Sequence, residues 1–205
     1  MIAIIDYDIG NIHSVHKAFK HIGADVIVTS SQAEIARADG VVLPGVGAFG
    51  DAMANLQRLR LLDPIRRTIE GGVPFLGICV GMQVLFDTSE EMGLHQGLSV
   101  LPGSVERFGE GLKVPQIGWN QIRPQSDHPL LAGVPDGAYV YFAHSYRVVP
   151  TDSSIVTATT DYGGSYPSVM ASGNVCGIQF HPEKSQRVGL RILDNFAVMA
   201  GGTPA

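Results

Sequence analysis

The segment PFLGICVGMQ, residues 74–83, ends an apolar run in Cys79, which sits between Gly77 and Gly81 ahead of a helix-forming stretch. The pattern GICVG has the form of the G-x-S-x-G nucleophile elbow with sulfur in place of oxygen. Glycines on both sides of the nucleophile permit a tight strand-to-helix turn, because a Cβ there would collide with neighbouring backbone. Such a turn presents the sulfur at the carboxyl end of a strand and at a helix N-terminus, where thiolate is favoured. The backbone N–H of Val80 would then face an oxyanion formed on an attacked carbonyl. Cys176, inside NVCGIQF, lacks the flanking glycines and reads as packing.

A nucleophilic sulfur needs a base, and GIQFHPEKS offers His181 with Glu183 two residues on. The residue before a proline is driven to extended backbone, and in extended chain residues i and i+2 project to the same side. Glu183 can therefore accept a hydrogen bond from one imidazole nitrogen and leave the other for the sulfur, in the nucleophile–base–orienter order of cysteine and serine hydrolases. His13, His16 and His21 fan out around one helix, and His95 and His128 sit in loop-like segments, so none competes. No metal site or cofactor is indicated. LPGVGAFGDAM follows a buried strand with Gly45, Gly47 and Gly50 in a turn. It lacks both the G-K-[ST] ending of a phosphate loop and a G-x-G-x-x-G pattern, and its N–H groups suit an oxyanion hole shared with Val80.

These groups need a scaffold. The first half alternates β-branched runs (IAII, DVIVT, GVVLP, PFLGIC) with amphipathic segments, the pattern of a parallel sheet covered on both faces. Asp63 and Pro64 supply a cap and first turn for one helix, and Gly71 and Gly72 its end. In the second half LSVLPGSVERF, GWNQIRP, AYVYFAHSYRVV, SIVTATTDY, PSVMASGN and VCGIQF are closely spaced strands, expected as antiparallel additions. A last helix over SQRVGLRILDNFAVMA returns to the sheet. The expected fold class is α/β, an open and mostly parallel sheet with antiparallel strands added. No repeat, low-complexity tract or linker divides the 205 residues, so one domain is expected over 1–205, with GGTPA at 201–205 a frayed tail.

Composition narrows the function. Hydrophobic residues make up 45% and charged ones 16%, the balance of a folded globule. The formal net charge is −5 with no Lys/Arg cluster, which argues against a nucleic-acid or anionic-membrane surface. MIAIIDYDIG lacks a basic n-region and reads as a buried strand rather than a signal peptide. No apolar run approaches the roughly 18–20 residues of a membrane span. Two cysteines make neither a disulfide framework nor a zinc site, and the expected location is the cytoplasm.

PGVGAFGDAM, GICVGMQVLF and GIQFHPEKS together resemble the signature segments of class I (triad) glutamine amidotransferases. DYDIGNIHSV, VPQIGWN and YFAHSY resemble, more narrowly, the glutaminase subunits of imidazole glycerol phosphate synthase. The likeness covers nearly the whole chain in the right order and departs from the family at none of the catalytic positions. It implies that Cys79 attacks the side-chain amide of glutamine, that His181 moves protons and Glu183 orients it, and that Val46, Gly47 and Val80 form the oxyanion hole. Gln83 and the backbone at Ser145 would hold the substrate. Asn11, Trp119, Tyr141 and Lys184 would face a (βα)8-barrel cyclase subunit, the partner in a heterodimer, although core packing is equally open to Trp119. The ammonia must be delivered shielded from water, since ammonium has no lone pair with which to attack, and this chain contains no second catalytic domain. Three alternatives stay open on sequence: a cysteine-dependent α/β hydrolase acting on an ester or lactone, a non-catalytic regulatory subunit, and the glutaminase subunit of another amidotransferase.

Overall fold

The structure is a computed structural model that describes residues 1–203. Its first half runs β1 (Ile2–Ile5), α1 (Ile12–His21), β2 (Val26–Thr29), α2 (Gln32–Ile35), β3 (Gly40–Gly45), α3 (Phe49–Arg58), α4 (Leu62–Glu70) and β4 (Phe75–Cys79). β1, β3 and β4 are buried at every position, which is what their unbroken apolar sequences require in a sheet covered on both sides. The strand order β2–β1–β3–β4 is parallel throughout. The chain steps one way from β1 to β2 and the other way from β2 to β3 and β3 to β4. Right-handed crossovers therefore place α1 on one face and α2, α3 and α4 on the other. α4 begins one residue ahead of Asp63, with Leu61 at its cap position, so Asp63 lies in the first turn instead of capping it.

Past Cys79 the helix expected from sequence is a single turn, α5 (Val80–Gln83). The chain then enters β5 (Phe86–Ser89), followed by β6 (His95–Gln96), β7 (Leu101–Arg107), β8 (Gln116–Pro124), β9 (Ala138–His144) and β10 (Tyr146–Pro150). After these come β11 (Val156–Asp161), β12 (Ser165–Ser172), β13 (Val175–Ile178) and α6 (Gln186–Met199). The main sheet has nine strands in the order β2–β1–β3–β4–β13–β12–β11–β8–β9, and a second sheet has the order β10–β7–β5–β6. AYVYFAHSYRVV, which reads as one strand, is divided at Ser145: β9 ends the large sheet and β10 pairs with β7 in the small one.

β13 also departs from the antiparallel expectation. It pairs antiparallel with β12 but parallel with β4, with Ile178 opposite Ile78. This puts the strand leading to His181 directly beside the strand ending in Cys79. α6 buries Ile192, Leu193, Phe196 and Ala197, and Phe196 meets Phe19 of α1 edge-on with ring centroids 6.4 Å apart, so α6 shares the face of α1. Its end is closed by the N–H groups of Gly201 and Gly202 on the carbonyls of Val198 and Ala197. Of the tail expected over 201–205, residues 204–205 lie outside the described residues.

Candidate active site

Cys79 is the last residue of β4 and the residue before α5, and its backbone stands at φ 55, ψ −113. A non-glycine residue held there stores strain of order 1–3 kcal/mol. Packing over-determines it: Phe75, Leu76 and Ile78 of the same strand are all but inaccessible, and burying each is worth about 1.5–3 kcal/mol. The flanking glycines make the turn possible. A Cβ on Gly77 would fall 2.6 Å from the carbonyl oxygen of Gly81, and one on Gly81 only 1.8 Å from that of Leu43. The elbow is thus clamped between its own turn and β3.

The carboxyl ends of adjacent parallel strands bring the other groups to this sulfur. β3 ends at Gly45, paired with Cys79, and Val46 and Gly47 follow, with Gly47 at φ +87. β13 continues through Gln179 and Phe180 to His181. The His181 ring hydrogen-bonds both Cys79 and Glu183, with Nδ1 3.0 Å from Glu183 Oε1, so Nε2 is left for the sulfur. Burial alone would lower the pKa of this ring. The hydrogen bonds to Cys79 and Glu183, and the negative charges they carry, outweigh that and push it up to about 10. Ser185 Oγ donates to the His181 carbonyl at 2.6 Å, and the His181 N–H donates to the Tyr141 carbonyl at 2.9 Å, so the segment is pinned on both sides.

Glu183 is itself oriented by a residue that sequence reasoning assigned elsewhere. Asn11 Nδ2 donates to Glu183 Oε1 at 3.1 Å, so Asn11, expected on the partner side, touches the carboxylate that holds the imidazole. Asn11 occupies the cap position of α1, but its side chain makes no cap bond there and reaches Glu183 across the fold.

A cavity of about 300 Å³ opens over the sulfur, lined by Val46, Gly47, Cys79, Val80, Gln83, Ser145, His181 and Lys184 among others. All eight were singled out in the sequence. Five lining residues were not: Glu91, Pro115, Ala143, His144 and Tyr146. Glu91 reaches the cavity from the loop after β5 and accepts the Phe49 N–H at 2.7 Å. His144 sits behind Ser145 with Nδ1 2.8 Å from the Tyr146 carbonyl and Nε2 3.2 Å from the Tyr166 hydroxyl, and burial lowers its pKa to about 4. Pro115 completes the rim. No sequence signal marks Glu91, because the approach of its loop is set by tertiary pairing. Another residue missed is Gln179, which lies behind the sulfur at the bend between β13 and His181. The His181–Glu183 pair is likewise not made across extended chain as expected, because Pro182–Lys184 winds into a 3-10 turn that brings the carboxylate back to the ring.

Cys176 behaves differently from Cys79. It is fully buried in mid-strand, and desolvation pushes its thiol up to about 12. Trp119 is not in the core: it is 46% exposed, and with Ile117 and Tyr139 it forms an apolar outer face on β8 and β9. Tyr141 pairs with Trp119 across the strands, their rings edge-on with centroids 6.0 Å apart, and Lys184 Nζ stands 5.5 Å over the Tyr141 ring. Lys184 therefore belongs both to this face and to the cavity lining. A larger cleft of about 460 Å³ lies at the opposite ends of the parallel strands, around Met1, Asp25 and Asp39, and holds no nucleophile. Among the described residues no group of His, Cys, Asp and Glu side chains converges as a metal site.

A strained cysteine elbow on a parallel sheet, faced by a histidine–glutamate pair from the next strand, defines a class, and residues 3–200 match the model of class-I glutamine amidotransferases. The chain belongs to that family. Within it, the chain is 53% identical over 206 residues to the imidazole glycerol phosphate synthase subunit HisH of Syntrophotalea carbinolica, covering 97% of this chain and 100% of the relative. The subunit of the same name from Moorella thermoacetica is 53% identical over 95% of this chain and 93% of the relative, and that from Aquifex aeolicus 52% over 94% of each. A crystal structure of a glutamine amidotransferase superposes with a TM-score of 0.78 at 19% identity, over 98% of this chain and all of the other. The structure of PurLQS from Thermotoga maritima gives 0.72 at 21%, over 95% and 96%. At those identities the likeness is one of fold.

Proposed function

We propose that this chain is a single-domain, cytoplasmic glutaminase, the ammonia-producing subunit of an imidazole glycerol phosphate synthase in histidine biosynthesis. The observation that carries this reading is the placing of Cys79 and His181 at one cavity on the carboxyl edge of the sheet, with Glu183 bonded to the far side of the imidazole. His181 takes the proton of the Cys79 thiol as the reaction begins, a transfer that its raised pKa favours. The sulfur attacks the side-chain carbonyl carbon of glutamine, and the C=O electron pair moves onto oxygen. Backbone N–H groups of the 46–47 turn and Val80 hold that oxyanion. When it collapses the C–N bond breaks, and His181 protonates the leaving nitrogen, which departs as ammonia. Neutral His181 then takes a proton from water, whose oxygen attacks the thioester; glutamate leaves and the thiolate returns. Glu183 keeps Nδ1 as the donor toward itself throughout, and Asn11 keeps Glu183 in place.

The amino-acid end of glutamine fits the remainder of the cavity. Gln83 and the chain at Ser145 supply polar groups, and Glu91 supplies a negative charge for the α-ammonium. The face built from Trp119, Tyr141 and their neighbours, bordered by Lys184 and Asn11, suits a protein partner, because exposed aromatic surface beside polar groups marks such contacts. The partner is a cyclase subunit that receives ammonia before it meets bulk water. Glutamate release measured with and without the purified cyclase subunit and its nucleotide ligand tests this. Weak turnover alone and a large rise in the complex are expected, and equal turnover in both would reject the reading.

A further inference from the structure

The mechanism above leaves one buried polar residue at the sulfur without a task. Gln179 Nε2 lies 3.7 Å from Cys79 Sγ, and its Oε1 accepts from Gln83 Nε2 at 3.1 Å. Gln83 Nε2 also donates to the carbonyl oxygen of Tyr146 at 3.0 Å. The two ends of an amide have the same shape, so the direction of such a chain is set by a member that can play only one role. The Tyr146 carbonyl is that member. It can only accept, so Gln83 must turn its NH2 that way. The second N–H of the same NH2 then meets Gln179, which has to offer oxygen, and this directs the NH2 of Gln179 onto the sulfur.

The geometry leaves little freedom to escape. Gln179 follows Ile178, the partner of Ile78 in the β13–β4 register, so it stands level with Cys79. Its backbone N–H is tied to the Ser168 carbonyl at 2.9 Å. Gln179 is wholly inaccessible and Gln83 and Cys79 are each 3% exposed, so water does not compete for these bonds. A donor directed at sulfur favours the thiolate over the thiol, and it also restricts the direction in which Sγ points.

We propose that Gln179 is a positioning residue for the Cys79 sulfur, directed by the Tyr146 carbonyl through Gln83, that holds the sulfur ready and supports its thiolate. The inference rests on Cys79 being the nucleophile. It also sharpens the part played by Gln83: with both N–H groups spent inside the protein, that side chain has only lone pairs to offer glutamine and must accept from one of the substrate's N–H groups.

The test is the pH dependence of Cys79 alkylation by iodoacetamide, followed by mass on the whole chain, for wild type, Gln179→Met and Gln179→Glu. Methionine keeps the length and loses the donor; glutamate keeps the bond from Gln83 and turns an acceptor toward sulfur. The midpoint of alkylation is expected to rise by about one unit in the methionine variant and further in the glutamate variant. In the complex with the cyclase subunit, kcat at pH 7 should fall about tenfold while the KM for glutamine stays within about twofold. Continued protection of Cys176 reports that each variant is folded. A wild-type midpoint in a folded variant overturns the proposal, because simple packing would not move it. Should neither variant fold, Gln83→Met, which removes the relay, is read by the same criterion. If wild-type Cys79 itself reacts no faster than Cys176, the nucleophile reading fails instead, so the two failures are told apart.

Discussion

His144 and His181 titrate in opposite directions because of what faces them. His181 gains negative partners, so its folded pKa lies above its unfolded value; the stability this contributes is complete below about pH 6.5 and is lost as the pH rises through about 10. His144 is buried with no compensating charge, so its folded pKa lies below; its contribution is complete above about pH 6.5 and is lost as the pH falls through about 4. At roughly 1.4 kcal/mol per unit, the second effect is on the order of 3 kcal/mol. Urea unfolding at pH 7 and pH 4 should show a His144→Gln variant less stable than wild type at pH 7 but with a flatter acid slope; parallel slopes would remove His144 from the account. Cys79 stood out by its flanking glycines, and His181 and Glu183 by lying two residues apart around a proline, although the chain between them is a 3-10 turn and not the extended segment expected. Glu91 and the bond from Asn11 to Glu183 were not legible, since residues 172 apart in sequence meet there only through the fold.

The elements show the same division between local and distant causes. The parallel half could be read from its apolar runs, since burial on both faces forbids polar positions in β1, β3 and β4. The break of AYVYFAHSYRVV at Ser145 could not, because a continuous β pattern does not state which sheet each part joins. Likewise VGMQVLF carries ordinary helix propensity, yet pairing of Phe86 with Leu101 stops α5 after one turn. The elbow itself is the element most sensitive to change. Gly81→Ala would drive a methyl to 1.8 Å from the Leu43 carbonyl oxygen, and its cost should exceed the roughly 1–3 kcal/mol usual for overpacking. Gly109→Ala, with nothing within 4 Å of the added Cβ, should stay within about 0.5 kcal/mol of wild type. Equal denaturation midpoints for the two variants would show that the close packing behind Cys79 is not needed.

At the scale of the whole molecule, the reacting edge of the sheet and the exposed aromatic face are one continuous structure, joined where Lys184 lies over Tyr141 and where the His181 N–H bonds the Tyr141 carbonyl. A partner seated on β8 and β9 would therefore press on the segment that carries His181. Trp119 is the only tryptophan, so its fluorescence should shift when the cyclase subunit binds, and Trp119→Ala should weaken that binding by at least about tenfold, in the range of an interface anchor, with little change in folding stability; an unchanged affinity would place the contact elsewhere. The claim on which the rest depends is that Cys79 forms the covalent bond to glutamine. It is tested most directly by incubating the complex with a diazoketone analogue of glutamine and mapping the adduct by mass spectrometry. One adduct, on the peptide bearing Cys79 and not on that bearing Cys176, is the predicted result; an adduct on any other residue would contradict it.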